Sequence, residues 1–239
     1  MEQKPVAIDL FAGCGGMSLG MKNAGFDVAY ANELLEDPSL TYRENLSGTV
    51  VETGDIRNVR PAHVSKKISR SRVDVIAAGL PCQGFSMLGL RDGNDERNSY
   101  FKQVWRFVEF FQPKFVVIEN VVGILSMRKG KIIKSICDWF EHRGYNVHIR
   151  KLVASDFGVP QRRLRVFIIC SKEKIAGEKL FPKPKRGQEV STGNAISDLA
   201  FLGVGSSSDR YAIKPRTKFQ RAIRRNSKGL HNHQSPKHS

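Results

Sequence analysis

The sequence predicts an α/β protein: a doubly wound, mostly parallel, Rossmann-like sheet with helices on both faces. Three observations carry that expectation. Short apolar runs of strand character alternate with helix-forming segments over roughly the first 170 residues, and such alternation favours parallel strands joined by crossover helices. The 239 residues are 40% hydrophobic, enough to bury one large core. Clusters of glycine, acidic and cysteine residues follow directly on predicted strands, the end at which open α/β sheets take their ligands.

The elements follow in order. Residues 6–11 (VAIDLF) read as a buried strand that ends in the glycine turn AGCGG at 12–16. Residues 17–24 carry helix formers and stop at Gly25, a good helix terminator. A second strand at 27–32, a helix at 38–46 and a third strand at 49–52 follow, the last closing on Gly54 and Asp55. Residues 73–78 (VDVIAA) form a clear strand, and 99–111 a helix rich in aromatics, with Phe101, Trp105, Phe107, Phe110 and Phe111. The strongest strand is FVVIEN at 115–120; a helix at 132–142 and strands at 145–153 and 165–170 complete the pattern. Beyond Cys170 it decays: FPKPKRG at 181–187 reads as a linker, GVGSSS at 203–208 as a flexible stretch, and 230–239 as an end without a closing element. The predicted organisation is one domain over 1–180 and a basic, incomplete segment over 181–239.

Charge and cysteine usage narrow the class. The net charge of +16 and a pI near 9.9 fit a polyanionic partner. The charge is concentrated late, with 12 Lys and Arg against 3 Asp and Glu over 183–239. Cys14, Cys82, Cys137 and Cys170 are scattered, which indicates neither a disulfide framework nor a metal site. His231 and His233, without further ligands nearby, read as loop residues. No apolar run approaches the ~20 residues of a membrane helix, and the first residues lack a signal-peptide core, so a cytoplasmic protein is expected.

Four clusters could carry chemistry. The first is DLFAGCGG at 9–16. Its spacing is not G-x-G-x-x-G, because position 18 is serine, which disfavours a dinucleotide pyrophosphate site. Glu33 and Asp55 close the next two strands, one suited to a ribose diol and the other to an adenine amino group; taken singly, each acid is more often a helix cap. The second cluster is GLPCQGFS at 79–86, where Cys82 follows a strand directly and Pro81 stiffens the loop. The thiolate is the nucleophilic form, so Cys82 needs electropositive help. The third is Glu119-Asn120-Val121, a carboxyl on an otherwise apolar strand, where burial favours the protonated form. The fourth is QRRLR at 161–165; Arg163 and Arg165 share a face if the segment is extended.

In this order, DLFAGCGG, Pro81-Cys82-Gln83, Glu119-Asn120-Val121 and Gln161-x-Arg163-x-Arg165, with Glu96-Arg97-Asn98 after the cysteine loop, the chain resembles the DNA cytosine C5-methyltransferases from residue 6 to about 166. Leu80 stands where many members have a second proline. The resemblance implies an S-adenosylmethionine-dependent methyltransferase fold, S-adenosyl-L-methionine as cofactor and double-stranded DNA as substrate. It implies that Cys82 attacks C6 of a flipped-out cytosine, that Glu119 holds N3 and the 4-amino group, and that Arg163 and Arg165 bind near O2. Asp9, Phe11, Ala12, Gly13, Gly15, Gly16, Glu33, Asp55, Ile56 and Pro81 fall at the family's cofactor positions, and Gln83, Phe85, Ser86, Asn120 and Gln161 in its substrate loops.

The family's later parts, a target-recognition region and two closing motifs, find no match. GNAI at 193–196 approaches the last motif but lacks its proline, and SDL at 197–199 resembles the spacer before the recognition region. The resemblance therefore implies the catalytic subunit of a split enzyme from a bacterial restriction–modification system, associated with the nucleoid and completed by a second polypeptide. An inert cofactor- or DNA-binding remnant and an RNA cytosine methyltransferase are the alternatives.

Overall fold

A computed structural model describes residues 4–81, 100–185, 187, 189–225, 227 and 229–237. The chain divides into two compact units, Met1–Lys151 with Arg165–Pro182, and Leu152–Leu164 with Lys183–Ser239.

The first unit is built on a seven-stranded sheet: β1 Val6–Leu10, β2 Asp27–Glu33, β3 Val50–Thr53, β4 Val75–Gly79, β5 Phe115–Asn120, β6 Asn146–Val153 and β7 Leu164–Ser171. The spatial order is β3-β2-β1-β4-β5-β7-β6. The pairs β3-β2, β2-β1, β1-β4 and β4-β5 are parallel, and β5-β7 is antiparallel. The mostly parallel sheet expected from the sequence is thus present. Its order reverses between β1 and β4, and the crevice at such a switch point is where this architecture accepts ligands.

Helices α1 Gly16–Asn23, α2 Glu36–Asn45, α3 Pro61–Ile68, α4 Tyr100–Phe111 and α5 Lys131–Glu141 flank the sheet, and a short α6, Gly177–Leu180, follows β7. Helix α3 is an addition to the elements expected from the sequence. Pro61 at its first turn, with Val64 and Ile68 buried on one face, is the signal that marks it.

One face of the sheet is sealed. Ile8, Ile76, Ile118, Val166 and Ile168 are fully buried in one apolar cluster with Val104, Phe107 and Phe140 of α4 and α5. The other face is covered unevenly. Ala7, Asp9 and Ala31 are buried on the side of α1 and α2, whereas Phe115, Val117 and Ile169 are half-exposed around an open, largely apolar groove of about 500 Å³. Helices thus lie on both faces, as expected, with α1 and α6 lining the groove on the second.

The second unit is ordered where the sequence reading placed flexible segments. Helices α7 Thr192–Ile196 and α8 Lys218–Arg224 each begin with a capping box, from Ser191 with Asn194 and from Thr217 with Gln220. The stretch 206–209 pairs with 230–235 through Ser207 and Gln234, Ser208 N to His233 O at 3.1 Å and Ser235 N to Ser206 O at 2.9 Å. Long-range backbone pairing, which leaves no apolar periodicity, orders both segments. His233 is part of this structure: its Nε2 donates to Leu199 O at 2.9 Å and its ring lies against Phe201.

Candidate cofactor and catalytic site

The chain leaves β1 through a tight turn. Phe11 takes a left-handed backbone (φ 59°), which a bulky residue adopts only at a cost. Ala12 N donates to Asn32 O at 2.9 Å, tying the turn to the end of β2. Gly15 has φ 89°, and a Cβ there would lie 2.5 Å from Leu46 Cδ1 and 2.7 Å from Tyr42 Cδ2, so only glycine fits. Gly13 is also left-handed; a Cβ at Gly16, by contrast, would meet nothing.

Glu33 closes β2 and its carboxylate gathers two backbone donors, Gly13 N at 2.8 Å on Oε2 and Leu35 N at 3.0 Å on Oε1. Asn32 is buried and donates from Nδ2 to Glu52 O and Gly54 O, which fixes the end of β3 beside it. Asp55 follows, bound by Arg57 through its backbone N, Nε and Nη2 at 2.6–2.8 Å. Those hydrogen bonds hold the Asp55 carboxyl below its ordinary range.

Around these strand ends lies a cavity of about 300 Å³. Phe11, Glu33, Asp55, Ile56 and Pro81 are in its wall, together with Asn32, Leu34, Leu35, Gly54, Gly79 and Tyr100, which the sequence reading did not single out. The Tyr100 ring meets the Phe11 ring edge-on at 5.5 Å. Leu34 and Leu35 carried a usable signal, an apolar pair directly after a strand-closing acid; both are exposed. Asp9, Ala12, Gly13, Gly15 and Gly16 do not line the cavity. Asp9 is fully buried behind the turn, its Oδ2 accepting from Ser18 Oγ at 2.6 Å, and burial pushes its carboxyl up to about 7.

Glu119 stands on the neighbouring strand. Its register partner on β4 is Gly79, and a Cβ at Gly79 would lie 3.4 Å from Phe11 O. The tip of β4 therefore separates the cavity from Glu119. Glu119 Oε1 pairs with Arg165 Nε at 2.7 Å, both side chains about one-quarter exposed. Asn120 is buried, its Oδ1 accepting from Val121 N at 2.8 Å, while its Nδ2 has no partner among the described residues. Cys82, Gln83, Phe85 and Ser86 lie outside the described residues; Cys82 is three positions beyond Gly79 in the sequence.

Gln161 and Arg163 belong to the second unit. Gln161 N donates to Val159 O at 2.7 Å and Arg163 N to Gln161 O at 3.0 Å, so this stretch is a tight loop. The expectation that Arg163 and Arg165 share a strand face is corrected accordingly: β7 begins at Leu164, after Arg163. No helix among the described residues is long and apolar enough to cross a membrane.

Comparison with known proteins places this geometry. The family model for C-5 cytosine-specific DNA methylases matches residues 6–235, well past the last motif read from the sequence. The type II methyltransferase M.DdeI of Desulfomicrobium norvegicum is 42% identical over 241 residues, covering 97% of this chain and 58% of that protein. The type II methyltransferase M1.HphI of Haemophilus parahaemolyticus is 39% identical, covering 84% and 54%. Among solved structures, a prophage-encoded DNA modification methyltransferase from E. coli superposes with a TM-score of 0.75 at 28% identity, covering 91% of this chain and 63% of that one. The chain thus spans less than two thirds of the length of these relatives. With its switch-point cavity, its glycine turn and the match from residue 6 to 235, the chain belongs to the C-5 cytosine-specific DNA methylase family.

Proposed function

We propose that this chain carries the cofactor-binding and catalytic part of a DNA cytosine C5-methyltransferase, acting on double-stranded DNA within a restriction–modification system. One observation supports the reading most: the tip of β4 has the cavity on one side and, in register on the other, Glu119 paired with Arg165.

The cavity residues fit S-adenosyl-L-methionine. An acid closes β2, another follows β3, and Phe11, Ile56 and Pro81 supply apolar walls. A carboxylate has about four lone-pair sites, so Glu33 can hold Gly13 and Leu35 and still accept from a ribose diol. Bound there, the cofactor would supply an electrophilic methyl group.

The chain's own residues then divide the work. C5 of cytosine is a poor nucleophile until a group adds at C6. The Cys82 sulfur, as thiolate, forms a bond to C6, and the electron pair reaches C5, which would take the methyl group as its bond to the donor sulfonium breaks and leaves a neutral thioether. Loss of the C5 proton to a base re-forms the double bond and expels the thiolate. Glu119 binds N3 and the 4-amino group, and Arg165 orients it through Oε1. The stacked base hides its faces, so the cytosine must leave the helix first.

We also propose that a later segment, on this polypeptide or a second one, covers the half-exposed Phe115, Val117 and Ile169. The apolar groove they line supports that reading. DNA containing 5-fluorocytosine tests the chemistry. A covalent complex should form with a chain supplying that segment, survive Cys14→Ala and disappear in Cys82→Ala. A complex that persists in Cys82→Ala assigns the nucleophile elsewhere, and methyl transfer to tRNA but not to DNA overturns the substrate.

A further inference from the structure

Behind the glycine turn lies a polar cluster that methyl transfer does not use. Asp9 sits in the middle of a parallel sheet, fully buried, at a position where such strands are normally apolar. An acid there is costly unless it is bonded. Its Oδ2 accepts from Ser18 Oγ at 2.6 Å, and Ser18, in the first turn of α1, is itself fully buried. Its Oδ1 has no partner among the described residues, and the buried Tyr42 hydroxyl faces Ser18 and Thr49. Tyr42 feels the charge of Asp9, and its ring is what a side chain at Gly15 would strike. Asp9, Ser18, Gly15 and Tyr42 therefore form one block under residues 11–16.

We propose that Asp9 is a positioning residue for the cofactor: its carboxyl, clamped to Ser18, pins the first turn of α1 to β1 and so holds the glycine turn and the Phe11 ring in place. The inference rests on the cofactor reading above. Its pH dependence follows from the surroundings. Burial raises the Asp9 carboxyl to about 7 against the pull of the Ser18 hydroxyl and N–H, and Glu33 adds to the rise. Glu33 from β2 and Tyr42 from α2 are the titratable groups acting on it; α1 contributes Ser18, and β4 (VIAAG) brings none. Because the folded pKa lies above the ordinary ~3.9, the stability associated with Asp9 is full below that value and declines as pH rises to about 7. Above it the Ser18 bonds to the carboxylate persist, but the desolvated charge faces Glu33, and that unfavourable charge weakens the packing of the block around it.

The test is calorimetric binding of S-adenosyl-L-homocysteine, which lacks the sulfonium charge, to the 239-residue chain and its variants across pH, with circular dichroism fixing the folded fraction. Wild type should bind several-fold more weakly at about pH 8.5 than at about pH 6. Asp9→Asn, which keeps the acceptor, should bind like wild type at the lower pH and show no decline. Folded Asp9→Val should lose about tenfold in affinity, the scale of one buried hydrogen bond. A folded Asp9→Val that binds like wild type, or a wild-type pH profile no steeper than that of Asp9→Asn, overturns the positioning role alone. No binding by wild type overturns the cofactor reading and this inference with it.

Discussion

The two units are held together by different physics. In the first, Tyr30, Phe107, Ile118 and Phe140 are fully buried in one continuous apolar cluster beneath α3, α4 and α5. In the second, the buried positions include Asp198 and Gln220. Asp198 pairs with Arg224, whose guanidinium also lies 3.6 Å from the centre of the Tyr211 ring. Gln220 accepts from Arg216 N and Thr217 N and donates to Ser197 Oγ at 3.0 Å. Helices α7 and α8 have five and seven residues, too short to stand without such support. A large sheet can rely on non-directional burial; a small unit with short helices depends on contacts that are specific in direction.

That contrast can be broken from either side. Phe107→Ala should cost about 3–5 kcal/mol, as a large ring leaves a closed core, and a urea transition followed by circular dichroism measures it. A loss below about 1 kcal/mol would mean that this core is not the main support of the sheet. Asp198→Ala should cost about 3 kcal/mol, because it strands the Arg224 charge in a site only 12% exposed. The double change Asp198→Leu with Arg224→Met should recover most of that loss, and hydrogen exchange in α8 reports both. If the double variant is as unstable as the single one, the unit depends on the ion pair itself. Thr217→Ala removes one cap and should cost about 1 kcal/mol, seen as faster exchange at Gln220 and Arg221.

The same contrast explains what could be read in advance. Strands such as residues 6–10 and 115–120 announce themselves because burial writes a run of apolar residues into the sequence. The acids Glu33 and Asp55 were visible because they interrupt such runs at their ends. The second unit carries its signal in spaced pairs, Ser191 with Asn194 and Thr217 with Gln220, which hydrophobic periodicity does not detect. The pairing of 206–209 with 230–235 joins residues too far apart in sequence for any local pattern. Within the site, Asp9 looked like a ligand contact because it adjoins the glycine turn. Its burial behind that turn depends on α1 and α2 packing over it, a tertiary fact. Arg163 and Arg165 looked equivalent because the tight turn before Leu164 has no period of its own.

One strand sets the scale of any reaction here. Ala77 of β4 is in register with Asp9 of β1, and two residues further on Gly79 is in register with Glu119 of β5. Neighbouring strands are about 4.8 Å apart, so two guests resting over β1 and over β5 are divided by a ridge one polypeptide wide. A guest over β1 and a guest over β5 would therefore face one another across a single strand, about two strand spacings apart.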